Sequence, residues 1–196
     1  MSFRQAFFFP VAVSLALAAC GGPSTPGQLP DGAFWQAIAP ACGDIYEGEM
    51  LSDEPTDREW QNAGILLEIT ECSGDGIDMV FQVGDDRSRS WRLTPVANGI
   101  DFRIERAEGT GPGVSGYGGV SSQGPDSLVQ VFPIDARTKE MFRQKGLMLA
   151  LENVWTLEAD PEAETLTYEV ERIANGRRMR FDLSAPYRRE DMTGAG

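Results

Sequence analysis

Apolar and polar residues alternate along most of the chain beyond residue 44, the period-two signature of half-buried strands. In 100–106 the pattern is clean: Ile100, Phe102 and Ile104 fall on one face, Asp101, Arg103 and Glu105 on the other. The same reading predicts strands at 45–51, 65–72, 77–83, 88–96, 128–134, 153–159, 165–173 and 178–184. Turn chemistry separates them: Ser73-Gly74-Asp75-Gly76, Gly84-Asp85-Asp86, Asn98-Gly99, Asp160-Pro161-Glu162-Ala163 and Asn175-Gly176. Two stretches depart from alternation and read as helices. Asp31 is placed to cap a short one carrying Phe34, Trp35 and Ile38 up to Pro40, and 135–145 opens on Asp135 and closes on bases, as the helix dipole favours. Residues 108–127 (EGTGPGVSGYGGVSSQGPDS) read as one long Gly-rich surface loop, with a lid over a barrel mouth, Tyr117 at its centre, as the alternative. About nine strands joined mostly by tight hairpins predict a mainly β, antiparallel up-and-down meander with one or two short helices. Such a sheet avoids exposed edges by curling or closing into a lipocalin-like barrel; a two-sheet β-sandwich is the alternative. The folded part is a single domain over 31–190, followed by a disordered tail, 191–196.

The N-terminus carries a different pattern. Met1 to Gln5 holds one positive side chain, Arg4, and 6–19 is apolar apart from Ser14. That run is too short to span a bilayer and suits the apolar core of a secretory signal. It ends in Leu17-Ala18-Ala19-Cys20, which resembles the lipobox of bacterial lipoproteins. The resemblance implies that 1–19 is a signal peptide, that Cys20 takes the lipid, and that the protein's first partner is a membrane. In such lipoproteins an Asp after the lipidated Cys favours the inner membrane. Gly21 stands there, which implies the outer membrane and its periplasmic face. The uncharged, Gly- and Pro-rich residues 20–30 read as a flexible tether. With Cys20 lipidated, Cys42 and Cys72 remain, and an even remainder in an oxidising compartment reads as a disulfide.

Charge narrows the function. The 196 residues hold 17 Lys and Arg, 30 Asp and Glu and no His, a formal net charge of −13. Without His there is no Ser-His-Asp or Cys-His catalysis and no His-ligated metal. The acidic balance argues against nucleic acid. The long loop ends in neither Lys-Ser/Thr nor a helix, so it is no phosphate cradle. The acidic turns around Asp75, Asp78, Asp85 and Asp86 lack the EF-hand spacing. No metal and no cofactor is assigned.

The least ordinary local chemistry is Asp85-Asp86-Arg87-Ser88-Arg89-Ser90-Trp91. If the strand begins at Ser88, Arg89 shares a face with Trp91 and Leu93, toward the core. A cation there needs a carboxylate, such as Asp85 or Asp86, or an anionic ligand at the barrel mouth. Arg87, Arg89, Trp91, Tyr117 and Trp155 are the candidate ligand-binding residues.

Val83-Gly84-Asp85-Asp86-Arg87-Ser88-Arg89-Ser90-Trp91, Tyr117-Gly118-Gly119, Phe132-Pro133-Ile134-Asp135, Val154-Trp155-Thr156-Leu157-Glu158 and Phe181-Asp182-Leu183 together resemble an uncharacterised family of secreted proteins and lipoproteins of Gram-negative bacteria. The resemblance covers roughly residues 40–185 and implies export, with no assigned activity. Some relatives carry a His-rich run before the Tyr-Gly-Gly; residues 103–114 here contain none, so a metal role does not carry over. The leading expectation is a non-enzymatic binding module for a small amphipathic ligand or an envelope partner. The alternatives are an envelope structural protein that uses its outer surface, and a hydrolase working through paired carboxylates.

Overall fold

A computed structural model describes residues 29–52 and 54–188, apart from the side chain of Ala185. The expected signal peptide 1–19, Cys20, most of the segment read as a tether and the tail 191–196 lie outside the described residues. Ten strands form one antiparallel sheet. They are β1 (Asp44–Leu51), β2 (Ile65–Ser73), β3 (Gly76–Val83), β4 (Asp86–Val96), β5 (Gly99–Arg106), β6 (Tyr117–Ser121), β7 (Val129–Pro133), β8 (Asn153–Asp160), β9 (Thr165–Arg172) and β10 (Arg177–Arg188). Each pairs with its neighbour in sequence, and β1 pairs with β10, so the meander curls on itself. The remaining edges, β6 and β7, meet through a bridge between Gly119 and Ile134. The result is a nearly closed barrel of the lipocalin-like kind, not a sandwich.

The seam explains the Tyr117-Gly118-Gly119 triplet. A Cβ on Gly118 would lie 1.9 Å from the Phe102 carbonyl oxygen, and one on Gly119 would lie 1.9 Å from that of Pro133. Only hydrogen fits where three strands crowd together. The helix α3 (Ala136–Gln144) then clamps the seam. The Asp135 carboxylate caps it by accepting from the Thr138 N–H at 2.7 Å, and the Thr138 hydroxyl accepts from the Gly118 N–H at 3.0 Å. Arg103, on the outer wall, bridges Asp101 (2.7 Å) and Asp135 (2.6 Å). Burial alone would raise the Asp135 carboxyl; the Thr138 N–H and the Arg103 guanidinium more than reverse this and hold it below its ordinary value.

Ten strands enclose more space than eight, so the lumen needs bulky filling. Aromatic rings supply it midway along: Phe81 stacks on Trp91 at 4.6 Å, Trp91 meets Tyr168 at 4.3 Å, and Phe181 meets Phe81 at 5.2 Å. One end of the lumen is plugged. The helix α1 (Ala33–Ile38) turns Phe34, Trp35 and Ile38 inward, each buried. At that end the Cys42–Cys72 disulfide ties the segment leaving α1 to the end of β2.

Four expectations change. Residues 108–127 are not one loop, because Tyr117–Ser121 forms the tenth strand; Tyr117 opens β6 rather than centring a lid. Its Gly-Gly step hides the alternation that marks the other strands. Leu29, read as tether, is buried in the core. Gly32, not Asp31, precedes α1, and no side chain caps that helix. A short helix, α2 (Arg58–Gln61), lies between β1 and β2, where four residues are too few to show a helical period.

Candidate functional site

Strand direction fixes the other end. β1, β3, β5, β7 and β9 run from the plugged end toward it, and their partners begin there. Among the described residues no helix is inserted at that end; instead α2, the 107–116 loop and 145–152 sit around a mouth. Within it lies a cavity of about 420 Å³, in the range of small-molecule sites. Its floor is the aromatic layer of Phe81, Trp91, Tyr168 and Phe181, and its walls include Tyr117 and Trp155, 6.1 Å apart. The 107–116 loop folds over it through Gly111, Pro112 and a buried Val114. At φ +59°, Gly111 lies against Arg106, where a Cβ would come within 2.7 Å of the guanidinium.

Three guanidiniums line the cavity: Arg89, Arg106 and Arg172. Arg89 and Arg106 stand directly opposite one another on β4 and β5. Across the mouth, Arg172 stands opposite Asn153 on β9 and β8. Arg89 Nη1 lies 2.9 Å from Asp86 Oδ2, so the ion-pair reading of this side chain holds. That nitrogen nevertheless lacks hydrogen-bond geometry, and the guanidinium also lies over the Trp60 ring at 4.8 Å. Arg106 reaches the Ser88 hydroxyl at 3.4 Å and the Tyr117 phenol, and pairs with no carboxylate among the described residues. The acid whose charge acts on Arg172 is Asp57, which is taken by Arg177 and by the Ser52 hydroxyl at 2.6 Å. Arg89 Nη1, Arg106 Nε, Arg172 Nε and Asn153 Oδ1 are buried without hydrogen-bond partners among the described residues.

The electrostatics follow from this crowding. Burial, then repulsion from Arg106, pulls the Arg89 guanidinium below its ordinary value, and Asp86 only partly compensates. Burial and repulsion from Arg177 do the same at Arg172. Burial pushes the Tyr117 phenol up against the opposing pull of Arg106 and Arg89, and it pushes Tyr168 well above the usual range.

Four of the five candidate ligand residues meet here: Arg89, Trp91, Tyr117 and Trp155. Arg87 does not. It projects on the outer wall to Glu68 (2.6 Å) and Gln82 (2.9 Å). Simple alternation puts Arg87 on the face of Arg89, but a register shift between Phe81 and Val83, opposite the start of β4, turns it outward. Arg106 and Arg172 were not singled out in the sequence. Counting inward from Ile104 and Val170 places both on the core side, the same signal that marked Arg89. Of the acids in the two acidic turns, Asp78 pairs with Arg92 at 2.6 Å and Asp86 with Arg89 at 2.9 Å. A second hollow, of about 440 Å³, lies on the outer wall over Glu47, Glu49, Arg180 and Asp182. It is shallow and polar, and its Arg180 and Asp182 pair with each other. No family profile, curated protein or solved structure matches this chain.

Proposed function

We propose that the barrel is a binding module that takes a small amphipathic ligand through its open mouth. The observation that carries this reading is the mouth cavity itself: an aromatic floor that favours apolar groups, beneath a rim of buried polar atoms without partners. A buried polar group without a partner costs about 1–3 kcal/mol, so such a rim is kept where something else satisfies it. Among the described residues no carboxylate lines the cavity, which favours binding over acid–base hydrolysis. Native mass spectrometry of the protein drawn from its own membranes tests the reading. A co-purifying small molecule, lost on Trp155→Ala, is the expected result. A bare mass, together with no uptake of any apolar probe, overturns it.

A partner protein is the second reading. Met148, Leu149 and Ile173 are all at least half exposed beside the mouth, an apolar rim on an acidic molecule. Co-purification of a protein that Leu149→Glu abolishes would favour it.

We also propose that the chain is exported and anchored through a lipid on Cys20 at the periplasmic face of the outer membrane. The Cys42–Cys72 disulfide supports an oxidising compartment. Metabolic labelling with palmitate should mark the chain and leave Cys20→Ser unlabelled; label that survives the substitution refutes the anchor.

A further inference from the structure

The polar end of the ligand has a definite charge. We infer that the mouth is an anion site, in which Arg106 and Arg89 from one wall and Arg172 from the other hold a carboxylate or phosphate head group while its apolar chain lies on the aromatic floor. This rests on the binding reading above and adds the chemistry of the head group.

Three observations converge. The first is register. Like charges directly opposite on neighbouring strands destabilise a sheet, yet Arg89 and Arg106 occupy such a pair, facing inward. The second is the contrast with the outer wall. There Arg87, Arg92, Arg103, Arg178, Arg180 and Arg188 each lie within ion-pair distance of an acid. In a chain with 30 acids and 17 bases, carboxylates are plentiful, but among the described residues the only one paired with a guanidinium that lines the cavity is Asp86, on Arg89. Arg106 and Arg172 have none among the described residues. The third is direction. Arg106 Nε and Arg172 Nε are buried, unpartnered donors lining the same cavity. A guanidinium cannot shed its proton to relieve this crowding, so an anion between the two walls is the chemistry that satisfies it. Asn153, paired in register with Arg172, adds an amide whose NH2 can donate to a second head-group oxygen.

The test uses the full chain in nanodiscs, with empty nanodiscs as the blank, and reads quenching of the cavity tryptophans. The probes share one apolar tail and differ in the head: octanoate, octyl phosphate, octanol and octyltrimethylammonium. Octanoate or octyl phosphate should bind at least about tenfold tighter than octanol, and the cation weakest, with the preference shrinking as salt is added. Which of the two anions leads identifies the head group. Arg106→Gln and Arg172→Gln should each weaken the anion by about tenfold and leave octanol unchanged, and Arg106→Lys should retain part of the preference. Circular dichroism and thermal melting of each variant separate lost binding from lost folding. Octanol binding as tightly as octanoate, or an anion affinity indifferent to both folded glutamine variants, overturns the anion site while the apolar cavity stands. Failure of every probe to bind overturns the anion site and the binding reading together.

Discussion

The two ends of the barrel are built on opposite principles. At the plugged end α1 inserts Phe34, Trp35 and Ile38, the Cys42–Cys72 link fastens the segment that follows, and the lumen is filled. At the mouth the same ring of strands carries arginines turned inward, buried donors without partners and a cavity of about 420 Å³. Apolar burial and cross-linking stabilise one end. The other keeps like charges close together, an arrangement that lowers stability unless a ligand offsets it. Functional sites are drawn from the least stable parts of a fold, and here the division runs along the barrel axis.

Four substitutions or conditions sharpen or break this contrast, beginning with the largest effect. Trp35→Ala removes a ring that is 1% exposed from the plug and should lower unfolding free energy by about 3–5 kcal/mol, read by urea titration. The mouth's probe affinity should stay within about twofold, and a large affinity loss would show that the ends are not independent. Cys42→Ser with Cys72→Ser opens a loop of 30 residues and should cost about 3–4 kcal/mol, matched by adding reductant to the native chain.

Alkali should act on the plugged half next. Burial, with Glu164 and Asp44 adding to it, pushes the Tyr46 phenol up from 10 to about 12. The folded value lies above the unfolded one, so this contribution is complete below pH 10 and lost as pH rises from 10 toward 12. It is on the order of 2 kcal/mol, visible as a falling melting temperature over that window and absent in Tyr46→Phe. Last, Arg172→Gln at the mouth should shift the stability of the ligand-free protein by no more than about 0.5 kcal/mol, since it removes repulsion rather than packing. A loss of several kcal/mol there would mean that Arg172 is a structural residue.

Most of the barrel was legible because its strands alternate. Trp91, Leu93, Phe102, Trp155, Leu157 and Phe181 are all buried where period two places them. The disulfide followed from cysteine parity. What escaped did so for physical reasons. β6 is carried by glycines that serve strand crowding, so it has no side-chain pattern to read. Arg87 was misplaced by a register shift, which alternation cannot anticipate. The plug was read only as a short helix, because its role lies in contacts with strands distant in sequence. Among the motifs that carry the resemblance, Tyr117-Gly118-Gly119 is seam chemistry and Phe132-Pro133-Ile134-Asp135 supplies a core ring and a helix cap. Of their residues, Arg89, Trp91, Tyr117, Trp155 and Phe181 line the cavity.

The chain comes in at the plugged end through Leu29, and β10 runs back to that end, where Arg188 pairs with Asp44. Anything attached ahead of Leu29 therefore holds the barrel by its base, like the stem of a cup. The opening lies at the opposite end from that attachment, so a label or fusion joined at the stem would leave the rim clear.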